Sequence, residues 1–314
     1  MRHQILALSI AALVAVAPAR AVEVFAGRQC MGTVLEITID ARSREHGRAL
    51  LDAAFAEAGR LEHILSDWSP DTELSRFNAQ AGHGSVRISP ELADVLTTAH
   101  ELYAATDGAF DVTLGPVILL KRKHVTDPHA LRAALELVDG RGLAVSGQSA
   151  ALARPGMAVD LGGIGKGFAC DRLRDLLMAG GARSGTIDFG QSSQLVFGAR
   201  PRRMGIRSLS GIPHARIELH EQGLSTSDSG RTESTLLDPR SGLPVTAHRQ
   251  ATVVASTGAV AEGWTKPLVI LGRAWLLGAG RFRLPGHVHY EDEQGVLDLD
   301  QADLLGQPPG HGAP

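Results

Sequence analysis

Four glycines fall within six positions in Asp160-Leu161-Gly162-Gly163-Ile164-Gly165-Lys166-Gly167, with one lysine among them. So dense a run belongs to a turn in which the backbone passes close to something else. Val159 leads in as an apolar residue, and Phe168, Leu173, Leu176 and Leu177 lead out at helical spacing. A helix opening on such a turn aims unpaired N–H groups and a partial positive charge outward, which suits an anion such as a phosphate. Lys166 adds a point charge. The run is not a P-loop, which needs two spaced glycines ahead of Lys-Ser or Lys-Thr, and it lacks the G-x-G-x-x-G dinucleotide spacing. From this stretch alone an anion site and a plain glycine turn with a solvated Lys166 both stand.

The flanking chain alternates strands and helices without a regular βαβ rhythm. Thr33 to Ile39 alternates and is β-branched, which predicts a strand, with Met31-Gly32 marking a bend before it. Ser43 caps a helical stripe running through Leu50, Leu51, Ala54, Phe55, Ala58, Leu61 and Leu65, which stops at the turn residues around Trp68. Ser75 to Asn78 reads as loop. Ser89-Pro90 opens a helix that ends at Thr106-Asp107-Gly108, and Ala109 to Pro116 reads as an irregular connection. Asp127-Pro128 opens a short helix to about Val138. Gly185 to Gly190 and Gln194 to Gly198 read as paired strands, followed by strands at 215–220, 223–227 and 251–255. Gly258 to Leu271 is a helix expected to kink at Pro267. The expected class is α+β, one body over 22–305 with no repeat or clear linker. The Gly/Pro/Gln tail at 306–314 is expected to be disordered.

The first 21 residues read as an export signal. Arg2 and His3 precede an apolar run from Ile5 to Val16, and Ala17-Pro18-Ala19 and Ala19-Arg20-Ala21 both have the small-x-small form of a cleavage site. The mature protein is therefore expected to be exported to the periplasm, with at most a loose association with the inner membrane. A net charge of −3 and 4% aromatic residues give no general attraction for nucleic acid and no stacking platform for single strands. The two cysteines, Cys30 and Cys170, show no spacing that supports a bond between them, and Cys170 reads as a small buried side chain.

No zincin helix, nucleophile elbow or paired C-x-x-C is present. The histidines lack metal-ligand spacing, whereas oxygen donors from Asp, Glu, Thr and carbonyls would suit Mg²⁺ beside a pyrophosphate. Met31-Gly32-Thr33, Trp68 to Asn78, Gly108 to Pro116, Asp160 to Gly167 with Asp171, Leu237 to Gly242 and the segment Ala261 to Gly272 occur in this order. Together they resemble the ApbE family of FAD:protein FMN transferases, over about residues 25–275.

The resemblance implies an ApbE-like, T-fold-related α+β fold that binds FAD. It implies cleavage of the FAD pyrophosphate with Mg²⁺ and attachment of FMN through phosphate to a Thr of an acceptor flavoprotein, AMP being the leaving group. Carried over by position, Met31 and Trp68 would lie near the flavin or adenine, Trp68 standing where the family commonly has Tyr; core packing is the alternative for both. Ala109, Phe110 and Asp111 would line the nucleotide site, unless Asp111 only forms a turn. Asp160, Lys166 and Leu237 would contact FAD, and Gly163 would lend a carbonyl to Mg²⁺.

The sequence departs from the family pattern in three respects. Thr235 stands where the family has His three residues before Asp-Pro, and Gly190-Gln191-Ser192 replaces a Gly-Gly. Glu262 and Lys266 stand at the family's metal-binding Asp and Thr. Glu262 can still bind Mg²⁺, whereas the ammonium of Lys266 has only donors. Lys266 would either take the metal's place against the pyrophosphate or pair with Glu262 one helical turn away. These two are the expected catalytic residues. A FAD carrier that has lost transfer is the alternative function.

Overall fold

The computed structural model describes residues 21–229, 236–278 and 283–300. The expected signal apart from Ala21, the expected tail and Thr235 lie outside the described residues.

The chain opens on a hairpin of β1 (Val22–Cys30) and β2 (Thr33–Ala41), joined by Met31-Gly32. Both turn residues have positive φ, 50° and 73°, the geometry that matches strand twist in a two-residue hairpin. Leu35, Ile37 and Ile39 face inward on β2, and α1 (Arg44–Leu65) lays its apolar stripe over them. The Ser43 hydroxyl caps α1 by accepting from His46 N–H. The segment read as loop around Ser75 is a short helix, α2 (Glu73–Ala79), capped by the Thr72 hydroxyl. Then follow β3 (Val86–Arg87), α3 (Pro90–Ala105), α4 (Gly115–Arg122) and α5 (Pro128–Leu135). The α4 helix replaces the end of the expected irregular connection; its first residue, Gly115, lies against the Ala158 backbone. A β4 (Leu143–Ser146) and β5 (Ser149–Leu152) hairpin completes a small sheet in the order β3-β5-β4.

The glycine turn leads into α6 (Gly165–Ala179). After it come β6 (Ser184–Phe189) and β7 (Ser193–Gly198), the ribbon β8 (Arg202–Arg207) and β9 (Pro213–Leu219), β10 (Gln222–Ser229), β11 (Arg249–Ala255), α7 (Gly258–Leu277), and β12 (His287–Asp292) with β13 (Gly295–Asp300). The main sheet is antiparallel throughout, ordered β1-β2-β6-β7-β10-β11-β12-β13. Packed against it are α1, α6 and α7, which gives an α+β fold with most of the core between them. The expected kink lies elsewhere. Helical geometry continues through Pro267 and breaks at Gly272, where φ is 75°. The guanidinium of Arg249 fills that break and donates to the Val269 and Ile270 carbonyls, which supplies partners to groups a kink leaves open.

The N-termini of α6 and α7 meet backbone to backbone. A Cβ on Gly258 would stand 2.5 Å from the Gly167 carbonyl oxygen, and one on Gly167 would overlap the Gly258 carbonyl. Each helix caps the other. Asp171 of α6 accepts from Gly258 N–H at 2.7 Å and Ala259 N–H at 2.9 Å, while Glu262 of α7 accepts from Gly167 N–H at 2.7 Å. Burial raises the Asp171 carboxyl to about 6, against the pull of those N–H donors. A folded-state value above the unfolded one means that this group's stabilisation is full below about pH 4 and lost as pH rises through about 6. The unfolding free energy of the wild type minus that of Asp171→Asn is therefore expected to fall by roughly 2–3 kcal/mol between pH 4 and 7, measured by urea titration. A flat difference would remove the assignment.

Candidate active site

The glycine turn and the Ala109–Asp111 bend are neighbours. Asp160 N–H donates to the Val112 carbonyl at 2.8 Å, and Leu114 bridges Ala158 in parallel. A Cβ at Gly163 would stand 3.4 Å from the Phe110 ring and 3.9 Å from Lys266 Cε. The two segments thus lie side by side, next to the start of α6.

A cleft of about 530 Å³ opens beside them, lined by Met31, Gly32, Glu62, Leu65, Ser66, Asp67, Trp68, Arg122, Asp160, Leu161, Gly162, Gly165 and Lys166. That size suits a small-molecule or cofactor ligand. Met31 reaches it because the β1–β2 turn is pinned by Met31 N–H donating to Glu62 at 2.9 Å. Trp68 is not core: it is 77% exposed, with the Arg122 guanidinium stacked 4.3 Å from its ring centroid. Arg122 also pairs with Asp67 at 2.8 Å and Asp160 at 2.6 Å. Burial lifts the Asp160 carboxyl above its ordinary value, and Asp67 adds to this against Arg122 and Lys166. A larger cleft of about 670 Å³ between α2 and β3 holds none of the expected site residues.

Behind the cleft wall sits a charge cluster. Glu262, 1% exposed, accepts from Lys166 Nζ at 2.7 Å on one oxygen and Gly167 N–H on the other. Lys266 Nζ stands 3.4 Å from the first oxygen and donates to the Glu262 carbonyl at 3.0 Å. Burial works against the Glu262 anion, but the two lysines hold its carboxyl below the usual range. Lys166 is raised, chiefly by Glu262, while burial pushes Lys266 down. The first turn of α6 therefore does not offer all its N–H groups to a ligand, as the sequence suggests. Gly165 N–H goes to the Leu161 carbonyl and Gly167 N–H to the protein's own carboxylate.

These residues do not fit the Mg²⁺ expected at Gly163 and Glu262. Mg²⁺ takes oxygen donors in near-octahedral array. Both Glu262 oxygens are engaged, and Lys266 brings no lone pair when charged. Among the described residues no group of three His, Cys, Asp or Glu could hold a metal ion.

Other expected residues sit further back. Asp111 turns its carboxylate inward, accepting from Thr113 N–H and hydroxyl and from Gly140 N–H. Ala109 and Phe110 are buried. Leu237 bridges Pro244 and packs with Leu114, Val117 and Ala134. Gln191 takes a positive φ of 59° in the β6–β7 turn, its N–H donating to Asp188. Sequence reasoning missed Glu62, Asp67 and Arg122 as cleft residues. Asp67 adjoins Trp68 and was within reach; Arg122 ends a helix that left no periodic signal. Cys30, whose thiol burial and the Glu62 charge push up to about 12, offers no nucleophile, and both cysteines are free.

The ApbE family profile matches residues 31–280. A FAD:protein FMN transferase from Klebsiella pneumoniae (strain 342) is 29% identical over 282 residues, covering 81% of this chain and 80% of its own length. Another of that name from Salmonella typhimurium is 27% identical, with 77% of each chain covered. Among solved structures, apo Pseudomonas stutzeri flavinyl transferase ApbE superposes with a TM-score of 0.79 at 24% identity, covering 91% of this chain and 97% of that one. Flavin transferase ApbE from Vibrio cholerae gives 0.78 at 21% identity, covering 91% and 99%. At those identities the superpositions speak for the fold.

Proposed function

The chain belongs to the ApbE family, and from that premise we propose that it is a FAD:protein FMN transferase. It takes FAD as substrate and modifies an acceptor flavoprotein, at a Thr hydroxyl. The observation that carries this reading is the convergence of Met31, Trp68, Asp160 and Lys166 on one cleft, with the Phe110 bend against the turn that forms its wall. Met31 and Trp68 would hold the rings of FAD in that cleft, and Lys166 would face its diphosphate.

The reaction is phosphoryl transfer by positioning and charge neutralisation. The acceptor hydroxyl forms a P–O bond to the FMN phosphorus, whose bond to the bridging oxygen breaks. AMP leaves with that oxygen, and the hydroxyl proton passes to water. Lys166 faces the diphosphate from the cleft wall, held in place by Glu262. Arg122 fixes Asp67 and Asp160 and offers Trp68 a cationic face. The export-signal pattern read at 1–21 supports a periplasmic site of action.

The test is incubation of the purified protein with FAD, MgCl₂ and an acceptor peptide bearing the target Thr. An FMN-sized mass gain on the peptide, with release of AMP, is the expected result. Tight FAD binding without any gain would make the protein a carrier instead, and no FAD binding would remove the reading.

A further inference from the structure

We infer that Lys266, with Lys166, supplies the positive charge that neutralises the FAD diphosphate, so that this chain binds FAD without a divalent metal. The inference rests on the FAD reading above and goes beyond it in assigning the charge.

The argument is one of counting charges in a confined volume. Two ammonium groups share one Glu262 oxygen, at 2.7 and 3.4 Å, so these three groups carry one positive charge in excess, while Asp160, which also faces Lys166, is taken up by Arg122 at 2.6 Å. Glu262 is 1% exposed and both its oxygens already accept hydrogen bonds, one of them shared between the two ammonium groups, so it orients the lysines. The excess charge is not solvated away, because the side chains of Lys166 and Lys266 are only 23% and 18% exposed. A partly desolvated cation attracts an anion far more strongly than a surface lysine does. Lys166 lines the cleft, and the Lys266 stem passes beside Gly163, where an added Cβ would stand 3.9 Å from Lys266 Cε and 3.4 Å from the Phe110 ring. A divalent ion added at that point would meet two ammonium groups and no unengaged carboxylate, so it would be repelled from the place it is expected to occupy.

Two measurements on the full chain decide this. The first titrates FAD into EDTA-treated wild type and follows flavin fluorescence with EDTA or with excess MgCl₂. The apparent Kd is expected to agree within about twofold, and MgCl₂ titrated alone into the protein should give no saturable heat. The second uses Lys266→Thr, which removes the charge and adds an oxygen donor. Its FAD affinity in EDTA is expected to fall about ten- to hundredfold and to recover in part with MgCl₂. Wild-type FAD binding that tightens more than about tenfold with MgCl₂ would overturn the inference while leaving the FAD reading intact. Failure of the wild type to bind FAD in either buffer would overturn that reading and this one with it. The wild-type titration stands even where Lys266→Thr does not fold.

Discussion

Glu262→Ala is expected to lower the unfolding free energy by about 3–5 kcal/mol, because it leaves buried charge without its counter-charge. The substitution removes the common partner of Lys166, Lys266 and Gly167 N–H at one stroke. Both lysines keep some access to water, which places the expectation toward the lower end of that range. The loss should shrink as pH rises. Burial already pushes Lys266 below its ordinary value, and without the Glu262 anion it sheds its proton more readily, which relieves the repulsion from Lys166. Adding Lys266→Met to Glu262→Ala is therefore expected to restore part of the stability, a non-additivity that neighbours in one network show. Urea titrations at pH 7 and 9 would check both statements. A loss below about 1 kcal/mol would mean that the cluster does not hold the helices together.

Gly167→Ala should be nearly as damaging for a different reason. Its new methyl would overlap the Gly258 carbonyl, which is main chain and cannot swing aside. The α6–α7 contact must open, at a cost of about 1–3 kcal/mol or more. Opening it also lengthens the Glu262 contacts to Lys166 and Gly167, so FAD affinity is expected to drop with stability. Gly59 provides the contrast. It lies exposed in α1 with no atom within 4 Å of an added Cβ, so Gly59→Ala should be neutral or stabilise by up to about 1 kcal/mol. Thermal unfolding of the two variants beside the wild type would separate steric overlap from helix propensity. Equal behaviour would sink the close-contact account.

Much of the frame was legible because it obeys simple periodicities. The α1 stripe, the Ser89-Pro90 start of α3 and the β6–β7 pair each follow from local chemistry that tertiary packing does not override. The α2 and α4 helices were not legible. They span seven and eight residues, too short for a stripe to declare itself, and they are held by Thr72 and by the neighbouring turn. The break in α7 was misplaced because Gly272 needs Arg249, from another element, to make it affordable. At the site, ordered motifs led to Met31, Trp68, Asp160 and Lys166, whereas Arg122 could be found only once the chain had folded. The pairing of Lys266 with Glu262 was one of two readings left open by their spacing of one helical turn; the closure of Lys166 on the same oxygen spans most of a hundred residues and has no local signature.

The mutual capping of α6 and α7 has a consequence for how such a chain could diverge. Asp171, Gly167, Gly258 and Glu262 act as two interlocked halves of one joint, each half closing the other's helix. A descendant that altered Glu262 in favour of a different ligand would also loosen the seat of α6. Compensation would have to come from across the joint, so new specificity is more readily gained at the cleft residues Trp68 and Arg122 than at the joint itself.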